Sequence, residues 1–272
     1  MRSAYTTFKT AEIDLGIYRW IHGSLLIPSH SVKVLSLSAL PSDSLPIMTN
    51  TGIVELSHKL NPAVQTYPGD TPFSCHPLGT SEKDGYNTRF MTIGSHCGTH
   101  IDAPFHFFAD GKTIDQIPLS DLIAPAVIVD LSHDNLKPRQ KITWADLAAY
   151  VDRFRVGKIV LINTGWSKYW GTEAYYSHPF FARDVAENLL KLGITVVGID
   201  TLNPDETPYK GVGGEDGFGF HNVILGGGGV IAENLTNLSA LVEGDDWVVS
   251  LIPLNLEGSD GSPIRAFALR KS

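Results

Sequence analysis

The chain has 272 residues, 43% hydrophobic and 18% charged. This is the balance of a globular protein with a core large enough to need no disulfide staples, and it excludes a disordered chain. A formal net charge of −8, with no clustered lysine and arginine stripe, argues against a nucleic-acid partner. No apolar run reaches the length of a membrane span, and two cysteines, Cys75 and Cys97, make no disulfide framework, so a reducing, cytoplasmic setting is expected.

In chain order, residues 1–50 read as an N-terminal extension with poor order. Their apolar stretches, Leu25-Leu-Ile-Pro28 and Val32 to Leu37, are short, and Glu12 and Asp14 fit neither a secretory signal nor a transit peptide. Met48 is an alternative start of the chain. Residues 51–272 read as one catalytic domain. Ile53-Val-Glu-Leu56 is a short strand, Tyr67-Pro-Gly-Asp70 a turn, and Phe90-Met-Thr-Ile-Gly94 a strand feeding the histidines that follow. A loop with a short helix spans Ile114 to Leu122. Buried strands are expected at Ala126–Leu131, Lys158–Asn163 and Ile194–Ile199, all short, apolar and β-branched.

Between these strands, Thr143-Trp-Ala-Asp146 has the form of a capping box and opens a helix to about Arg153. Residues 180–192 carry Phe181, Val185, Leu189 and Leu192 at helical spacing, closed by Gly193. Asn222 to Ile231 reads as Gly-rich and strand-like, and Trp247–Ile252 and Ile264–Leu269 close the chain as strands. Strands outnumber helices, which points to an α/β or α+β domain with a mixed sheet.

The chemistry concentrates in eleven residues, His96-Cys-Gly-Thr-His-Ile-Asp-Ala-Pro-Phe-His106. His96, His100, Asp102 and His106 are separated by even offsets, so an extended chain turns them to one face. A helix would place Asp102 roughly 240° from His96. A straight strand would carry His106 about 33 Å from His96, so the chain must bend for these groups to share an ion, and Gly98 and Pro104 are residue types that permit it.

Two histidines and an aspartate suit a divalent metal, zinc, manganese or iron(II), with positions open to water. His106 is either a further ligand or the general base. Cys97 has odd parity and reads as packing; Thr99 orients a ligand or is a structural hydroxyl. His221 and Glu233 form a second, weaker constellation across a glycine run that lacks the phosphate-binding signature, and by itself it reads as a surface loop with a solvated acid.

The string His96-x-Gly-Thr-His100-x-Asp102-x-Pro-x-His106-Phe107 resembles the signature of the putative cyclase family, which includes bacterial-type kynurenine formamidase and isatin hydrolase. Glu55-Leu-Ser-His58, Tyr67-Pro-Gly-Asp70, Asn163-Thr-Gly-Trp166, Gly198-Ile-Asp-Thr201 and Ile231-Ala-Glu-Asn-Leu235 extend the resemblance over residues 53–270.

The resemblance implies a swivelling β/β/α-type fold, a homodimer or homotetramer, and metal binding at His96, His100 and Asp102. It adds His221 and Glu233 for a second ion in the formamidase branch, with Asp102 bridging and His106 as acid/base. The implied activity is hydrolysis of an amide or formamide such as N-formylkynurenine. Isatin, another cyclic amide, a lactone or a ring-closing reaction is the alternative, and a purely structural metal in a binding module a third reading. Leu202-Asn-Pro-Asp205 departs from the family pattern. Phe73, Tyr86 and Trp166 can stack on an aromatic substrate, with ordinary core packing as the other reading.

Overall fold

The computed structural model describes residues 52–214, 217–242 and 246–271. The expected N-terminal extension, residues 1–50, lies outside the described residues. Thirteen short strands follow in order: β1 (Ile53–Glu55), β2 (Ser74–Gly79), β3 (Thr88–Thr92), β4 (His100–Asp102), β5 (Ile123–Asp130), β6 (Lys141–Ile142), β7 (Ile159–Asn163), β8 (Phe180–Phe181), β9 (Val196–Ile199), β10 (Val230–Glu233), β11 (Trp247–Ser250), β12 (Gly261–Pro263) and β13 (Phe267–Arg270). Nine of them form one sheet in the order β1-β13-β11-β5-β7-β9-β10-β4-β12. The centre, β5-β7-β9-β10, is parallel, and both flanks are antiparallel. This is the mixed α/β sheet expected from the sequence.

The apolar runs of β5 and β7 have no polar face because both faces of the central strands are covered. Ala126, Ile128, Ile159 and Leu161 join the core shared with Leu56, Ile101 and Val249. Val127, Val129, Val160 and Ile162 face the other way, onto Val185, Leu189 and Phe220. The latter belong to α3 (Arg183–Lys191) and α4 (Gly219–Gly226); shorter helical turns are α1 (Ser81–Asp84) and α2 (Leu119–Leu122). Among the described residues no helix is long and apolar enough to cross a membrane.

Three elements differ from the sequence-based expectation. The segment opened by Thr143 is a 3₁₀-helix, Trp144–Arg153, with its capping box formed through Asp146. The helix expected over 180–192 begins later, because Phe180 and Phe181 pair in parallel with Lys141 and Ile142.

The third correction matters for function. Asn222–Gly226 is not strand but part of α4, and only Val230–Glu233 is extended. The cause is remote in sequence: the Asp205 carboxylate accepts hydrogen bonds from the backbone N–H of Phe220 (2.7 Å) and His221 (3.1 Å), satisfying donors at the helix start. Gly228, at φ +78°, turns the chain out of α4 toward β10.

Candidate active site

The chain between His96 and His106 bends at both residues expected to allow it. Gly98 takes φ +68°, which brings His96 back over the start of β4. Pro104 opens a 3₁₀ turn, Pro104–His106, immediately after β4, and this folds His106 toward the strand it has just left. The strand itself contributes His100 and Asp102 on one face. Antiparallel register places Glu233 of β10 directly opposite His100, so a residue 133 positions away arrives on that same face. His221 comes from α4, whose start Asp205 holds in place. Leu202, Asn203 and Asp205 follow β9, and Asn234 follows β10, at the carboxyl ends of parallel strands, where open α/β sheets bind their ligands.

The resulting cluster has Asp102 at its centre. Its Oδ1 lies 2.8 Å from His96 Nδ1 and 3.3 Å from His100 Nε2, and its Oδ2 lies 3.3 Å from His221 Nε2. Glu233 completes it, with Oε2 3.3 Å from His100 Nε2 and Oε1 3.2 Å from His221 Nε2. Each imidazole is held from outside by its other nitrogen. His100 Nδ1 donates to the Gly98 carbonyl at 2.9 Å, His221 Nδ1 to Asp205 Oδ2 at 2.6 Å, and His96 Nε2 to Asp260 Oδ2 at 2.8 Å. A carbonyl and a carboxylate only accept, so those nitrogens carry the protons. If the rings are neutral, their inward nitrogens aim lone pairs at carboxylate oxygens, an arrangement that a cation between them relieves.

Two further observations support that fit. Asp102 Oδ2 and Glu233 Oε1 are buried without a hydrogen-bond partner, despite the nearby His221 ring. A buried carboxylate oxygen left that way is costly unless something positive reaches it. Donor atoms of His96, His100 and Asp102 lie within 4.8 Å of one another, as do those of Asp102, His106 and His221. Five nitrogen and oxygen donors around buried carboxylates suit a divalent metal.

Without the ion, protons take its role. Burial opposes charge on His96 and His100, but the Asp102 carboxylate, joined at His100 by Glu233, overcomes it and raises the rings to about 9 and about 10. His178 shows the opposite case: burial dominates and lowers it to about 4, the neutral ring being held by the Pro179 carbonyl and the Thr207 hydroxyl.

These shifts set the pH dependence of the metal-free protein. The stability from His96 and His100 is complete below their unfolded value near 6.5 and is lost as pH rises through about 9 and 10. That from His178 is complete above 6.5 and is lost as pH falls toward 4. Denaturant unfolding of chelator-treated protein is expected to show maximal stability near the unperturbed histidine pKa of about 6.5, with loss on both sides. Added divalent metal should abolish the alkaline loss. A flat profile from acid to alkaline pH contradicts this account.

The cluster forms the floor of a cavity of about 440 Å³. Its walls are Tyr67, Phe107 and Phe218, with Asp70, Leu202, Asn203 and Asn234. Phe107 stacks on His221, centroids 4.9 Å apart, and meets Phe218 edge-on at 5.3 Å. None of the three aromatic residues expected to contact substrate lines it. Phe73 and Trp166 are buried, the latter donating its indole N–H to the Ala174 carbonyl, and Tyr86 is 62% exposed beside the β2–β3 hairpin. Aromatic content near the motif is no guide to which ring faces the cavity, because that depends on loops returning from elsewhere. Asp260 also escaped the sequence reading, and Asp205 entered it only as the end of the departing segment Leu202-Asn-Pro-Asp205, with no role. Only Asp260's place between two glycines, in Gly258-Ser-Asp-Gly261, hints at a special position.

Gly261 explains part of that hint. A Cβ there would lie 2.8 Å from His96 Cε1 and 2.9 Å from the Ile101 carbonyl oxygen. Gly261→Ala is therefore expected to displace His96 and to weaken divalent-metal binding by about 10–100-fold, at a stability cost of about 1–3 kcal/mol. Chelator competition with the purified variant measures it, and wild-type affinity would show that the ring has room to yield.

The family described as "Putative cyclase" matches residues 54–206, more than half of the chain. A kynurenine formamidase of Bacillus cytotoxicus is 31% identical over 216 residues, covering 78% of this chain and 95% of that protein. One from Geobacillus thermodenitrificans is 32% identical over 219 residues, covering 80% and 97%. Among solved structures, an isatin hydrolase bound to the product analogue thioisatinate superposes with a TM-score of 0.71 at 26% identity, covering 81% of this chain and 92% of that one.

Proposed function

The chain belongs to the putative cyclase family, and from that premise we propose that it is a metal-dependent amidohydrolase that cleaves the formamide of an aromatic amine, as in N-formylkynurenine. The observation that carries this reading is the pair of buried carboxylate oxygens without a hydrogen-bond partner, Asp102 Oδ2 and Glu233 Oε1, which both face His221 Nε2 at the floor of an aromatic-walled cavity. His96, His100 and Asp102 would hold one divalent ion, and His221 and Glu233 with Asp102 a second. Zinc and manganese both suit these donors. When bound, such an ion supplies a Lewis acid for a carbonyl oxygen and acidifies water.

The protein's own groups do the rest. Tyr67, Phe107 and Phe218 sandwich the substrate's aromatic ring and exclude water around it. His106 lines the same cavity with Nδ1 turned to Asp260 Oδ2 at 3.3 Å, which leaves Nε2 to take a proton from the attacking water and deliver it to the departing amine nitrogen. Water adds to the carbonyl carbon, the C–N bond breaks, and the products are formate and the free amine.

The similarity to an isatin hydrolase supports a second reading, opening of a cyclic aryl amide with the same groups. Assays of zinc- and manganese-loaded protein on N-formylkynurenine, isatin and an aryl lactone separate them. Fastest turnover of the formamide is expected. Turnover of isatin alone would replace the first reading with the second, and no turnover of any amide would end both.

We further place the protein in the cytoplasm as a homodimer or homotetramer. Both cysteines are free thiols, in keeping with a reducing compartment. The β2–β3 hairpin exposes Leu78, Phe90 and Met91 beside Tyr86, and a lone two-stranded hairpin is marginal without packing, which favours a second copy against it. Light scattering on the eluting protein is expected to give at least twice the monomer mass, and a monomer at micromolar concentration would refute the assembly.

A further inference from the structure

Asp260 lies outside every motif that carries the family resemblance, yet its carboxylate touches both halves of the site. Its Oδ2 lies 2.8 Å from His96 Nε2 and 3.3 Å from His106 Nδ1. The two rings sit against each other, centroids 4.0 Å apart and 33° between planes, so one oxygen spans them side by side.

The backbone around Asp260 is firmly placed. Its carbonyl accepts from Ala103 N–H at 2.9 Å, the Ser259 carbonyl accepts from Ile114 N–H at 2.8 Å, and the Ser259 hydroxyl donates to the Gly261 carbonyl at 2.7 Å. Immediately afterwards β12 pairs with β4, with Gly261 opposite Asp102. Asp260 is thus fixed by the same strand pair that carries the central carboxylate. Its own side chain is about a third exposed, so solvent gives it an alternative to these contacts.

We propose that Asp260 is the positioning residue that sets the ring orientation and tautomer of His96 and His106 together. An ionised carboxylate only accepts, so both facing nitrogens must carry hydrogen. His96 then presents Nδ1 to Asp102 and the cation, in a carboxylate–histidine–metal arrangement. His106 presents Nε2 to the cavity, where the substrate's proton transfers take place. One oxygen therefore couples cation binding to the acid/base group, while Asp205 holds a single ring, His221, on the other side. This inference rests on the metal-hydrolase reading, its His96 half on the metal site and its His106 half on the hydrolysis.

The test uses the full-length protein with zinc as probe and the variants Asp260→Ala and Asp260→Asn. Zinc affinity by chelator competition is expected to fall about 10–100-fold in Asp260→Ala, as for other carboxylates behind a ligand histidine. Asp260→Asn keeps an acceptor oxygen without the charge and is expected to lie between. Nitrogen-15 imidazole spectra of the zinc-loaded wild type should show His106 protonated at Nδ1 and His96 at Nε2, and Asp260→Ala should show mixed tautomers at His106. On a turned-over formamide, kcat should fall with KM nearly unchanged, because the variant leaves the cavity walls intact.

Zinc affinity within about twofold of wild type together with unchanged ring spectra would overturn the proposal, whatever happens to turnover. If Asp260→Ala does not fold, Asp260→Asn decides by the same two measurements. Altered zinc affinity and spectra in a protein that hydrolyses no amide would uphold Asp260 and remove the substrate reading instead.

Discussion

Asp102→Asn is expected to lower kcat/KM by about a thousandfold or more and to leave the dialysed protein largely without metal. The carboxylate has Oδ1 beside His96 and His100 and Oδ2 beside His221, so among the described residues it is the side chain in contact with all three inward-facing imidazoles. Asparagine keeps the volume but replaces an anionic oxygen with an NH₂ donor, which adds hydrogens where the site needs lone pairs. Lewis-acid stabilisation is worth several kcal/mol, and each 1.36 kcal/mol is tenfold in rate, which sets the scale of the loss. The metal-free state is affected too, because Asp102 is among the counter-charges that favour protonation of the half-buried His96 and the buried His100. Elemental analysis after dialysis, steady-state kinetics and denaturant unfolding report these effects separately. A variant that retains stoichiometric metal and near wild-type turnover would show that Asp102 is not at the centre of the chemistry.

His106→Ala has a different signature. Loss of a positioned acid/base group costs about 10²–10⁴-fold, and it should appear in kcat. Metal content should be unchanged, because His96, His100, Asp102, His221 and Glu233 remain. The geometry supports that division: His106 is partly exposed at the cavity, while His100, Asp102, His221 and Glu233 are buried beneath it. Its donor atom can nevertheless group with those of Asp102 and His221. The measurement therefore decides between the two roles open to it. Metal lost in proportion to activity would make His106 a ligand; metal retained with turnover depressed makes it the proton carrier. Partial recovery of turnover on adding free imidazole would strengthen the second outcome.

Much of this was legible in the chain before any coordinates. Even spacing of His96, His100, Asp102 and His106 required an extended stretch with bends, and Gly98 and Pro104 are where the backbone bends. Short β-branched runs at 126–131, 158–163 and 194–199 are β5, β7 and β9, because a strand buried on both faces must be apolar throughout. These features are local, set by side-chain type and backbone geometry within a few residues of each other.

What only the tertiary structure decided is everything that depends on meetings across the chain. Asp205 turns a glycine-rich segment into helix α4 from 15 residues away and fixes His221 in the same act. Strand pairing brings Glu233 opposite His100, and β12 delivers Asp260 to His96 across 164 residues. The cavity walls are Tyr67, Phe107 and Phe218 rather than Phe73, Tyr86 and Trp166, since a ring faces substrate only where its loop happens to return. Local propensity carries no information about such contacts: the free energy that selects them is released only when the whole sheet closes and its buried polar groups find each other.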